Sequence, residues 1–259
     1  MKAILVFAML SLLAAAVPVH AGVVITQDTV TDTLSGPVKD QHTIMIQGDK
    51  QKTDMRGRTM LLNLDDNTMV LLNPANKTYL KLPFPPRGMA NAMENMSALN
   101  PNLKKTASGL TVGGFKCDEY AGSGSSRIGQ YSVKGCFDST GPGAAEYDHF
   151  MGLVAQRLKA SAVQTMPRPK GIPIKLETTT KITNFAMPGL SPEQAKAMQQ
   201  MMRNRPPTKS VVTTTSIKTA TLPADTFVIP ADYAQAQLPA GMGHGQPSAP
   251  PTNKPYQGE

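Results

Sequence analysis

Between residues 23 and 82 the chain is broken by turn-forming clusters at intervals too short for helices. They are Ser35-Gly36-Pro37, Gly48-Asp49, Arg56-Gly57, Asp65-Asp66-Asn67 and Asn73-Pro74-Ala75-Asn76. Gly supplies positive φ, Pro presets φ, and Asn and Asp bond their own backbone, so each cluster has a mechanism for turning. Between them lie VVITQDTVTDTL, HTIMIQ, KQKTDM, RTMLLNL, TMVLLN and KTYLKL. Short β-prone segments joined by connections of about two to five residues are hairpins. The chain is therefore expected to open as an antiparallel meander in a curved sheet or barrel. Composition agrees, since 21 Gly and 22 Pro in 259 residues argue against a helical bundle.

Pro83, Pro85 and Pro86 then interrupt the meander. Residues 87–100 read as a helix, with Met89, Met93 and Met96 on one face. Residues 106–137 return to strands. Residues 144–164 read as a stronger helix, with Tyr147, Phe150, Met151, Val154 and Leu158 forming an apolar stripe. Residues 172–185 alternate as a strand. A further helix is expected over 191–205, where Ser191 and Gln194 form a capping box around Pro192. Its apolar face carries Met198, Met201 and Met202. A strand over 209–221 follows, and 225–233 closes the ordered body.

The two long strands are expected to pair antiparallel with their Thr triplets opposed. That register sets Leu176 opposite Ile217 and Ile182 opposite Val211. Residues 234–259 are rich in Gln, Pro, Gly and Ala and read as a disordered tail. The expected fold class is mainly β (α+β): a strongly curved antiparallel sheet or half-barrel with two to three covering helices. It occupies a single domain, 22–233.

Residues 1–21 carry Lys2, an apolar run from Ala3 to Val17, and small residues Val19 and Ala21. This is the pattern of a secretory leader cleaved after Ala21. The apolar run is shorter than the roughly 20 residues a membrane span needs. A periplasmic or secreted location is expected. Cys117 and Cys136, both beyond the leader, then read as a structural disulfide, because exported chains meet oxidising conditions. A redox pair or a metal site is the rival reading. No C-x-x-C occurs, and His42, His149 and His244 are the only histidines after the leader.

Catalytic patterns are absent from the sequence: there is no G-x-S-x-G, no phosphate-binding glycine loop and no H-E-x-x-H. Adjacent acids such as Asp118-Glu119 would point to opposite faces of a strand. The net charge of +8 comes from scattered basic residues without stacking aromatics, so no nucleic-acid partner is expected. No cofactor and no enzyme activity are expected. The 16 methionines are the unusual feature. Met is an adaptable core filler, and a soft ligand suited to Cu(I). Met89, Met93, Met96, Met198, Met201 and Met202 could equally form a lid contacting an apolar ligand. The expected role is a non-catalytic envelope protein that binds a lipid or acyl chain. The alternative is a structural or assembly partner of an envelope protein.

Three segments carry a family resemblance. GGFKCDEY at 113–120, GIPIKLETTTKITNF at 171–185 and LPADTFVIPADY at 222–233 resemble motifs of the bacterial exported family called domain of unknown function 4412. The early meander ending in NKTYLKL fits the same pattern. GCFD at 135–138 stands where the family often has a Trp-containing strand, and the helix at 190–205 looks like an insertion. The family is similar in pattern to periplasmic lipoprotein carriers. That similarity implies an open, strongly curved antiparallel sheet wrapped on helices.

Overall fold

The structure is a computed structural model that describes residues 21–33, 35–86, 103–126, 129–160, 168–182 and 191–236. Twelve strands among the described residues form one sheet, ordered β12-β6-β5-β4-β3-β2-β1-β11-β10-β9-β8-β7. The meander is β1 (Gly22–Thr33), β2 (Gly36–Gln47), β3 (Lys50–Met55), β4 (Arg58–Asn63), β5 (Thr68–Asn73) and β6 (Thr78–Pro83). Each turn cluster named above falls at a strand junction, with Gly36 and Pro37 already in β2 and Asn73 still in β5. The second half is β7 (Lys104–Val112), β8 (Phe115–Ser126), β9 (Gly129–Asp138), β10 (Ile172–Ile182) and β11 (Thr208–Ala220). These ladders are all antiparallel. The sheet is linear, with β7 at one edge. That edge carries Lys104 and Lys105 and shifts register between Lys105 and Leu110, features that discourage pairing with another chain.

The other edge is covered by the closing segment. A 3-10 turn at Ala224–Phe227 leads to β12 (Ala234–Gln235), which runs parallel to β6. Ile229 and Tyr233 pack on Leu61, Val70 and Leu72, forming a small apolar core on β4 and β5. Lys77 and Asp232 hold the segment with a 2.9 Å ion pair. The ordered body thus reaches a little past 233. Residues 234–236 of the tail expected over 234–259 belong to this segment, and its remainder, like the expected helix at 87–100, lies outside the described residues.

The main core forms around helix α1 (Ala144–Ala160). Glu146 lies in its first turn, and Arg157 and Lys159 in its last, as the helix dipole favours. Phe150 is fully buried and packs with Val23, Ile25, Ile46, Leu62, Ile172 and Ile174. Polar clamps set the helix on the sheet. Asp148 accepts from the Gly171 amide at 2.9 Å and pairs with Arg168 at 2.6 Å. The Arg168 guanidinium stands 5.2 Å over the Tyr147 ring. Glu146 accepts from the Gly48 amide at 2.6 Å, tying the helix to the β2–β3 turn. Helix α2 (Pro192–Asn204) has the anticipated capping box, with the Ser191 hydroxyl accepting from the Gln194 amide and the Gln194 side chain accepting from the Ser191 amide.

Cys117 and Cys136 are disulfide-bonded across β8 and β9, and both belong to the α1 core. Residues opposite one another in a ladder share a face. Cys136 lies opposite Lys175, Lys175 opposite Thr213, and Thr213 opposite Asp28. Ile25 alternates to the other face from Asp28, yet Ile25 borders the same core. The sheet therefore coils around α1. A register shift between Pro173 and Lys175 marks the corner.

The expected pairing of β10 with β11 is antiparallel as anticipated, but its register is not. Leu176 lies opposite Val212 rather than Ile217, and Ile182 lies opposite Gly129 of β9. The Thr triplets do not meet: Thr178 faces Ser210 and Thr213 faces Lys175. Three consecutive Thr residues look alike on both faces, so they specify register weakly. What fixes it is a bulge at Thr215 together with a buried polar knot. Gln27 donates to the Thr214 hydroxyl at 3.1 Å, and Thr214 donates to the Pro173 carbonyl at 2.6 Å.

Two outcomes follow from this core. Replacing both Cys117 and Cys136 by Ala should lower stability by about 3 kcal/mol, read from denaturant midpoints, whereas an unchanged midpoint would remove the disulfide from the core's account. Phe150→Ala should cost about 3–5 kcal/mol in the same titration.

Candidate functional site

The long strands extend beyond the α1 core, and there the two sheet faces differ in chemistry. Across β1, β11, β10, β9 and β8, one row runs Thr29, Val212, Leu176, Gly135, Tyr120. The next row on the same face runs Thr31, Ser210, Thr178, Val133, Gly122. Thr180 and Tyr131 continue it, and Phe137 stands one position to the other side. In β1 this is the face that carries Val23 and Ile25.

On the Thr29 face charge is confined to the flanks, with Lys105–Asp118 at 2.6 Å beside Tyr120 and Asp40–His42 at 3.2 Å on β2 beside Thr29. Val133 and Phe137 are each 8% exposed, and Leu176 and Val212 are half-buried. None of these four belongs to the α1 core or to the smaller core on β4 and β5. Phe137 and Leu176 lean into the space that Gly135 leaves without a side chain. The Tyr120 and Phe137 rings meet edge to face at 5.8 Å. Burial raises the Tyr131 phenol above its ordinary pKa. The Thr29 hydroxyl oxygen is buried without a hydrogen-bond partner, whereas Thr31 bonds Ser210 at 3.0 Å.

The reverse face is ionic. Glu177 takes Lys175 at 2.8 Å and Lys209 at 3.3 Å, and Lys134 takes Glu119 at 3.1 Å. Asp118 turns the other way, to Lys105 at 2.6 Å. The neighbouring acids therefore do not form a dyad, in line with the strand alternation. Open depressions lie along these strands. One of about 370 Å³ is lined by Ser123, Tyr131, Ser132, Thr179 and Lys181, and one of about 570 Å³ by Asp28, Thr29, Lys39, Gln41 and Arg56. Both are open and have mixed polar and apolar linings. Among the described residues no group of three His, Cys, Asp or Glu side chains gathers as a metal site.

The methionines expected to contact a ligand are only partly placed. Met198 and Met202 of α2 are half-buried and Met201 is 47% exposed. None of them joins either apolar core. Met89, Met93 and Met96 lie outside the described residues. Sequence reasoning missed Thr29, Leu176, Val212 and Val133 as a set. The available signal was the alternation of β10 and β11, and it could be used only with the right register.

No family model matches the sequence, and no curated protein matches it. Solved structures overlap it at low scores. PNGF-II aligns over 83% of this chain at 12% identity and a TM-score of 0.38, and the chain spans only 31% of that protein's length. An outer membrane lipoprotein-sorting protein domain from Vibrio parahaemolyticus aligns over 80% of this chain and 88% of its own, at 10% identity and a TM-score of 0.29. A LolA superfamily protein from Nitrosomonas europaea aligns over 82% and 91%, at 8% identity and a TM-score of 0.30. No functional assignment follows from these scores.

The ionic face sets an acid limit. Lys175 holds the Glu177 carboxyl below its ordinary pKa, and Lys134 does the same for Glu119. A carboxyl with a lowered folded pKa adds stability above its unfolded pKa and loses it as pH falls through the folded value. Thermal midpoints should therefore be flat from pH 7 to 5 and fall below the ordinary Glu value of 4.5. The drop should be modest, because exposed pairs are worth about 1 kcal/mol or less. Lys134→Met should reduce it, and a midpoint that rises on acidification would contradict the assignment.

Proposed function

We propose that the chain is an exported envelope protein that holds a long apolar ligand, a lipid or acyl chain, on the Thr29 face, and that it does so without catalysing a reaction. The observation that carries this reading is the contrast between the two faces of the same five strands. One face carries the ion pairs of Glu177 and Glu119 with their lysines. The other presents Val212, Leu176, Val133, Phe137 and Tyr120 outside both apolar cores, bordered by Thr and Ser hydroxyls. Ligand sites are mostly apolar with a few placed polar groups. Each buried CH₂ of a bound chain contributes about 0.8 kcal/mol, so such a surface can bind without any reactive residue. The leader pattern and the disulfide support export to an oxidising compartment. The methionines of 87–100 and of α2 would then form an adaptable cover, since Met repacks easily around different shapes.

A fluorescent fatty acid titrated into the processed protein tests the reading. Saturable binding is expected, weakened at least tenfold by Leu176→Asn with Val212→Asn in a variant that keeps its circular dichroism. A second variant with Met93, Met96, Met198 and Met201 changed to Gln tests the cover. Absence of saturable binding, or binding unchanged in the first variant, would overturn the proposal. One observation favours an assembly role instead. Val38, Ile182 and Met201 are 51%, 40% and 47% exposed, and they sit on the turn end of the long strands or on the helix between β10 and β11. A stable lipid-free complex with another envelope protein would select that reading.

A further inference from the structure

The bond expected to be cut during export, Ala21–Gly22, lies at the very start of the central strand. Ala21 is exposed, but Gly22 is already buried and lies opposite Ala220. Val23 is fully buried, between Thr219 of β11 and Ile46 of β2. The place where a side chain on Gly22 would stand is crowded by oxygens. The Ile46 carbonyl is 2.8 Å away, and the Ala220 carbonyl and the Gln47 Oε1 are each 3.0 Å away. Gln47 Oε1 also accepts from the Leu222 amide at 2.7 Å. The ends of β2 and β11 are thereby tied together around Gly22.

The strand order gives this position wider reach. Among the described strands, β1 alone links the β2–β6 meander to the β7–β11 half through backbone ladders. A protease takes the residues on both sides of the scissile bond in unpaired, extended form, so paired and buried backbone is cut only when it opens. Cutting Ala21–Gly22 requires Gly22 and Val23 to be out of the sheet.

We infer that leader removal and sheet closure are ordered events: the leader is cut while β1 is free, and β1 then enters between β2 and β11 and locks the new N-terminus inside the sheet. Until that release, no ladder joins β2 to β11, and the two halves are linked through α1 and the closing segment on β4–β6. Glycine at position 22 serves the packing of the strand start. The inference rests on the leader reading of residues 1–21 and is independent of any ligand.

The test uses the full 259-residue precursor and purified signal peptidase in detergent micelles. One sample is refolded and oxidised beforehand, and the other is added from denaturant. The unfolded sample should yield a product beginning at Gly22. The refolded sample should be cut at least tenfold more slowly. A second precursor carries an eight-residue Ser/Gly spacer between Ala21 and Gly22, and when folded it should be cut at the unfolded rate. Equal rates for folded and unfolded precursor would overturn the inference. So would a product starting elsewhere, or a spacer variant that stays resistant. If the precursor does not refold, cells in which the peptidase is inhibited supply the same comparison. There the accumulated precursor should be degraded by trypsin under conditions that leave the processed chain intact.

Discussion

The double ladder of β1 is the interaction on which the rest of the structure depends. From Val23 to Thr33 it pairs with β2, and from Gly22 to Thr31 with β11. Every buried amide and carbonyl needs a partner, and a central strand meets that need only when both neighbours are in place. The α1 core is assembled across this joint. Val23 and Ile25 come from β1, Ile46 from β2, and Ile172 and Ile174 from β10. The knot of Gln27, Thr214 and the Pro173 carbonyl sits at the same level. It is buried and hydrogen-bonded, so a slip of β11 would strand polar atoms away from water. That penalty sets the register where the Thr runs do not.

Beyond the knot the sheet divides its work between faces. The ion pairs of Glu177, Glu119 and their lysines keep one side solvated. The opposite side collects Val212, Leu176, Val133 and Phe137 without drawing them into either core. The buried hydroxyl of Thr29 lies on the boundary between this surface and the knot. The apolar-ligand proposal takes its support from this division.

Much of this architecture could be read from the sequence. The turn clusters placed the meander hairpins, because Gly, Asn, Asp and Pro each dictate local backbone geometry. Cys117 and Cys136 could be paired because a hairpin between them was evident. Ser191 and Gln194 marked the start of a helix that is present. Long-range features were harder. The Thr runs of β10 and β11 look alike on both faces, so opposing them gives the wrong register for these two strands. The packing of Ile229 and Tyr233 on the back of β4 and β5 depends on the whole meander being folded, and no local pattern announces it. The methionine stripe of α2 was visible, but its periodicity could not tell a core face from an exposed one, and Met201 is exposed.

Native-state hydrogen exchange on the chain from Gly22 onward tests most directly the claim that β1 is the joint of the fold. The amides of Ile25, Gln27, Thr29 and Thr31 should exchange as slowly as the slowest amides of β2 and β11, through an opening that unfolds the whole sheet. A β1 that exchanges rapidly, while β3–β5 and β8–β10 keep their protection, would show that the two halves stand without it and would contradict the account.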